Sequence, residues 1–131
     1  MSKLQGGHVP QCPIAGDANA GKWYYAEYST FVVLPEAHNY KLRMSGYSGN
    51  AGRDSFGVHI GQVFSTYDRD NERWPAVNCA ADFGGGFWHK SCYWCGVNSS
   101  RNADYFGNYF HWRDLPGDWQ LQKSRMWLLC K

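Results

Sequence analysis

Three carboxylates at alternate positions, Asp68, Asp70 and Glu72, lie a few residues before Cys79. Hard oxygen ligands on a turn suit calcium, which gathers about six to eight oxygens from carboxylates, backbone carbonyls and water. The EF-hand spacing with its closing bidentate glutamate is absent, so a solvated polar turn is the alternative, and Arg69 and Arg73 must point away for an ion to bind. Downstream, His89-x-x-Cys92-x-x-Cys95 with Cys79 has spacing that zinc tolerates. A disulfide between Cys79 and Cys92 competes for the same thiols and is favoured by the secreted-type composition. Cys92-Tyr-Trp-Cys95 has the redox C-x-x-C form but no βαβ pattern around it, which excludes a thioredoxin-like reading.

The run Gly84-Gly85-Gly86-Phe87-Trp88 lacks the lysine and Ser/Thr of a phosphate loop. Gly46-Tyr-Ser48-Gly lacks the strand and helix of a nucleophile elbow. His89 and His111 belong to no evident nucleophile, base and orienter set, so the chain reads as a binding protein and not as an enzyme. Seven rings crowd this half of the sequence: Phe83, Phe87, Trp88, Tyr93, Trp94, Tyr105 and Phe106. Each one singly suits a core. Their density in a glycine-rich region predicts at least two exposed rings able to stack on sugars or partner surfaces.

These groups must be positioned by one small domain. The 131 residues suffice for a single core, and 18% aromatics with 15 glycines favour a loop-rich fold with a ring-filled interior. A formal charge of +2, without a Lys/Arg run, gives no nucleic-acid footprint. No apolar stretch reaches the roughly 18 residues of a membrane span. Five cysteines favour an oxidising, secreted setting and leave one thiol free or paired between chains, which is compatible with a homo-oligomer. Asn98-Ser99-Ser100 is a glycosylation sequon. The N-terminus Met1-Ser-Lys-Leu-Gln-Gly-Gly-His has no apolar signal region, so the sequence is expected to be a piece of something longer.

Residues 1–22 carry no periodicity and are expected to be an extended lead-in, with the domain spanning 23–131. Trp23–Val33 (WYYAEYSTFVV) has strand composition. Pro35–Asn39 reads as a turn, and Tyr40, Leu42 and Met44 alternate with polar residues as a half-buried strand. Together they predict an antiparallel hairpin. Gly46–Gly52 reads as a loop, Asp54–His59 as a short helix or turn, and Met126–Leu129 as a last core strand.

Tyr28-Ser-Thr-Phe-Val-Val-Leu-Pro-Glu, Tyr40-Lys-Leu-Arg-Met-Ser-Gly-Tyr-Ser-Gly-Asn-Ala-Gly52, Phe64-Ser-Thr-Tyr-Asp-Arg-Asp-Asn, Asn78-Cys-Ala, the glycine–Phe-Trp–Cys92 run and Trp112–Leu129 occur in an order that resembles the fibrinogen-related domain. The resemblance covers about residues 23–130. It implies an α+β fold, with a twisted antiparallel sheet beside a loop-rich subdomain that carries calcium and ligand. It implies calcium on Asp70 and Glu72 with carbonyls near Trp74 and Ala76, although Glu72 stands where Asp is usual and the loop is one residue longer. It implies the bridge Cys79–Cys92 and a cis Ser91–Cys92 bond shaping an acetyl pocket from Phe83, Ser91, Cys92, Tyr93, Phe106 and Gly107. Phe83 and Tyr93 replace the family's usual Tyr and His there, so rings remain while hydroxyls and an imidazole are lost. The family's N-terminal subdomain has no counterpart before Trp23, and Cys95 and Cys130 are not usual family positions. Pairs Cys95–Cys130 and Cys12–Cys130 both stay open. The implied function is a secreted, calcium-supported lectin for carbohydrate or acetylated ligands, without catalysis, in a setting such as innate defence. The alternative is a domain that binds an extracellular peptide or receptor.

Overall fold

The computed structural model describes residues 12–15, 22–92, 94–99, 110–116, 120, 121, 123–126 and 128, with the backbone alone at 12–15. Its frame is a four-stranded antiparallel sheet in the order β3-β2-β1-β4. The strands are β1 (Cys12–Ala15), β2 (Trp23–Val33), β3 (Leu42–Gly49) and β4 (Lys123–Ser124). β2 occupies the span that its aromatic and β-branched composition predicts. Tyr24, Ala26 and Tyr28 point into the core while Trp23 and Tyr25 face outward, the two-residue period of a half-buried strand. In β3, Leu42 and Met44 are buried and Arg43 and Ser45 are exposed.

The β2–β3 hairpin turns through a 3₁₀ segment at Glu36–His38, closed by Asn39 in the left-handed conformation. The register then runs from Val33 opposite Leu42 to Ala26 opposite Gly49. β3 thus continues into the stretch expected to be loop. Gly46 makes that possible: its φ is +72°, and a Cβ there would sit 1.9 Å from Ser29 Oγ.

Three expectations change. The segment read as a lead-in supplies β1, paired to both β2 and β4, so the sheet begins upstream of the boundary at Trp23. Among the described residues the C-terminal strand lies at Lys123–Ser124, and of the expected core strand Met126 and Leu128 are exposed, while Trp127 and Leu129 lie outside the described residues. The bond between Ser91 and Cys92 is trans, there being no cis peptide bond among the described residues. The chain turns there through two consecutive left-handed residues, Ser91 at φ 50° and Cys92 at φ 74°.

The main core packs Tyr24, Ala26, Tyr28, Leu42 and Met44 of the sheet against Phe56, Phe87, Trp112 and Leu121. Two polar links brace it. The Tyr28 hydroxyl donates to Asp54 Oδ1, which also accepts from Gly57 N–H at 2.7 Å and so starts the 3₁₀ turn Gly57–His59. Burial, with Asp54 adding, pushes the Tyr28 hydroxyl far above its ordinary range. Ser55 Oγ donates to Asp114 Oδ2 at 3.1 Å and accepts from Asp114 N–H at 3.1 Å, tying two loops 59 residues apart.

Candidate functional site

The acidic loop is anchored at its base. Ser65 and Phe87 exchange backbone hydrogen bonds of 3.0 and 3.1 Å, which joins the loop's entry to the glycine–aromatic run. Asn71 donates from its backbone to Ser65 Oγ at 3.0 Å and from its side chain to the Phe64 carbonyl at 2.7 Å. The loop then enters helix α1 (Cys79–Phe83). Asn78 caps it, accepting from Ala81 N–H at 3.0 Å, and its amide donates back to the Tyr67 carbonyl at 3.1 Å. Gly84, at φ 68°, ends the helix in the left-handed conformation. Gly85 lies so close to the next segment that a Cβ would meet the Asn98 carbonyl oxygen at 2.3 Å.

Each expected calcium ligand has a definite surrounding. Asp70 Oδ1 accepts from Glu72 N–H at 3.1 Å, and Glu72 Oε1 accepts from Cys79 N–H at 2.6 Å. Glu72 Oε2 is buried without a hydrogen-bond partner among the described residues. Burial raises the Glu72 carboxyl above its ordinary 4.5 against the lowering bond from Cys79, and Asp70 and Asp82 raise it further. A half-buried carboxylate with one bare oxygen, beside two further acids, fits a hard cation. The Trp74 carbonyl already accepts from Val77 N–H at 3.2 Å. Asp68, the first acid, instead accepts from Thr66 Oγ1 at 2.7 Å. Arg69 points away as required, donating to Asn39 Oδ1 at 2.9 Å.

Cys79 and Cys92 form the expected disulfide, with Cα atoms 5.4 Å apart. Their sulfurs lie near Glu72, but joined to each other they offer no thiolate to a metal. That removes the zinc reading, and His89, whose Nε2–H donates to the Gly85 carbonyl at 3.0 Å, does not join that group. Cys95 is a free thiol, wholly buried, and burial pushes its pKa far up. Cys130 and the Cys12 side chain lie outside the described residues.

A groove of about 400 Å³ opens beside the bridge, lined by Gln62, Arg73, Trp74, His89, Lys90 and Ser91. Of the residues expected to bind ligand, Ser91 lines this groove and Cys92 lies beneath it in the disulfide. Phe83 does not line it: the ring packs against Cys79, Cys92 and Val77. Tyr93, Phe106 and Gly107 lie outside the described residues. Of the seven crowded rings, Phe83 and Phe87 are buried and Trp88 and Trp94 half-buried, while Tyr93, Tyr105 and Phe106 lie outside the described residues. An exposed ring face at the groove's edge is that of Trp74, 41% exposed. The sequence does not mark Gln62, Arg73 or Lys90 as site residues, and it offers His89 only to zinc or to catalysis. Adjacency to Ser91 signals the last two, whereas only the fold brings Gln62 and Arg73 to them.

Sheet, bridged turn and acidic loop together define a fibrinogen-like globe. The family model for the C-terminal globular domain of fibrinogen beta and gamma chains matches residues 13–130, and the chain belongs to that family. Among solved structures it is similar to the fibrinogen-like globe domain of human ANGPTL2, with a TM-score of 0.78 and 34% identity, covering 94% of this chain and 58% of that one. Among curated proteins it is 41% identical over 96 residues to tenascin of Gallus gallus, covering 71% of this chain and 5% of that protein. It is 38% identical over 93 residues to a techylectin-like protein of Phoneutria nigriventer, covering 71% and 41%. The chain therefore spans less than half the length of these curated relatives. No helix among the described residues is long and apolar enough to cross a membrane.

Proposed function

We propose that the chain is an extracellular, calcium-supported binding module that takes carbohydrate or acetylated ligands at the groove beside Ser91. The observation that carries this reading is the coupling of the acidic loop to the groove. Glu72 holds the backbone of Cys79, and Cys79 is bonded to Cys92, next to Ser91 in the groove wall. Asp70 and Glu72, with carbonyls of Trp74 and Ala76, would hold calcium. The ion would offset the repulsion among Asp70, Glu72 and Asp82 and so fix the loop that carries Arg73 and Trp74.

The groove's chemistry supports a sugar. Trp74 offers a ring face, while Gln62, Arg73, Lys90 and Ser91 offer donors that suit hydroxyl, acetyl or carboxylate oxygens. The disulfide supports an oxidising, secreted location. A second reading, an extracellular protein ligand in the same groove, is favoured by the trans Ser91–Cys92 bond, which departs from the geometry expected of an acetyl pocket. A glycan and acetyl-ligand screen, run in calcium and in chelator, separates the two. Chelator-sensitive binding to acetylated or other sugars supports the lectin; indifference to all of them, with capture of an extracellular protein by the same groove, supports the second.

A further inference from the structure

A second cavity, of about 310 Å³, lies against β2 and shares no lining residue with the groove at Ser91. Its wall is a set of rings already packed on one another. Phe56 stacks on Phe87 at 5.1 Å, and Trp88 meets Phe64 edge-on at 5.1 Å and Phe31 at 6.0 Å. Trp88 is held in place by its indole N–H, which donates to the Tyr40 carbonyl at 2.7 Å. The exposed side chains of Met126 and Leu128 complete the apolar lining.

Three polar residues gather on one side: Asn98, Ser124 and Arg125. Asn98 Nδ2 donates to the Gly86 carbonyl at 3.2 Å, and Ser124 Oγ donates to the Val97 carbonyl at 2.7 Å. Arg125 is different. Its guanidinium sits 5.4 Å from the Trp23 ring centre and has no ion-pair partner among the described residues. Among the described residues it is also the one charged member of the lining, which there holds no carboxylate.

We infer that this cavity binds a small amphiphilic carboxylate, an aliphatic or aromatic acid whose apolar body packs among Phe31, Phe56, Phe64, Phe87 and Trp88 and whose carboxylate meets Arg125. An apolar space of this size left empty forfeits packing energy. A cavity of ~150 Å³ takes benzene, so this one, by proportion, takes about twelve non-hydrogen atoms. A guanidinium left without a carboxylate partner at the edge of such a space selects an acid over a neutral amphiphile, because the paired, charge-assisted bonds are the strong ones.

Calorimetric titration of the whole chain with decanoate, below its micelle-forming concentration, and with decanol as the uncharged control tests this. Decanoate is expected to bind at one site. The exposed Arg125→Gln change is expected to weaken decanoate about tenfold and leave decanol unchanged. Met126→Glu, which places an anion in the lining, is expected to abolish decanoate binding while circular dichroism stays native. Folded wild-type chain that takes no decanoate would overturn the inference, as would an Arg125→Gln chain that binds it as tightly as wild type. A dimer split by Met126→Glu, in a chain indifferent to decanoate, would assign the cavity to a second copy instead and overturn it equally.

Discussion

Glu72 and Cys79 are joined by a 2.6 Å hydrogen bond from the Cys79 backbone N–H to Glu72 Oε1, across seven residues of loop. The bond uses one carboxylate oxygen to anchor the first turn of α1 and leaves Oε2 buried and bare. One side chain thus fixes the disulfide's first cysteine and keeps a second oxygen that the proposed calcium would use. Any ion bound there acts on the groove through the bridge to Cys92.

Calcium is expected to raise thermal stability, with a Kd on the order of 10⁻⁴–10⁻³ M as in many extracellular modules. Asp70→Ala should lose that increment. The Glu72 carboxyl is raised above its ordinary value, so at acid pH it carries a proton that an ion must displace. The increment in melting temperature should therefore shrink as pH falls below neutrality towards the carboxylate range. Scanning calorimetry with and without millimolar calcium, at several pH values, checks both points.

The Cys79–Cys92 bridge closes a loop of 13 residues in sequence separation, which corresponds to about 3 kcal/mol in the chain-entropy picture. Replacing both cysteines by serine should lower stability by roughly that amount. Non-reducing peptide mapping should recover the 79–92 pair. Cys95, buried and with its thiolate disfavoured, should resist alkylation until the chain is unfolded. Labelling of Cys95 in the native protein would contradict the packing described.

His59 is fully buried, with Nδ1–H donating to the Trp88 carbonyl at 2.7 Å, and burial lowers its pKa from 6.5 to about 4. The unfolded chain takes up the proton first. Stability is therefore complete above pH 6.5 and declines as pH falls towards 4, below which His59 adds no further loss. The full decline is on the order of 3 kcal/mol. His89, lowered in the same direction by burial, adds to it. Denaturant melts at stepped pH should show the slope, and a His59→Gln chain should show less of it.

Local pattern carried the hairpin. β2 and β3 alternate buried and exposed side chains, and the 35–39 turn closes on two left-handed residues, Asn39 and Tyr40, so composition and period mark the strands on either side. β1 was less legible because four residues between two partner strands need no amphipathic alternation of their own. Met126–Leu129 is apolar enough for a core strand, yet among the described residues the pairing ends at Ser124, and Met126 and Leu128 line a cavity. At the site, the acidic spacing and the resemblance led to Asp70, Glu72 and the bridge. The groove was not readable because Gln62 and Arg73 reach Lys90 and Ser91 only through long-range folding, and no periodicity records that.

Retention of the folded chain on acetylated resin in millimolar calcium tests the central claim most directly. The account predicts that the chain is held, that free acetate or N-acetylhexosamine elutes it, and that a chelator releases it. A chain that is natively folded, saturated with calcium and still passes through unretained would contradict the lectin reading.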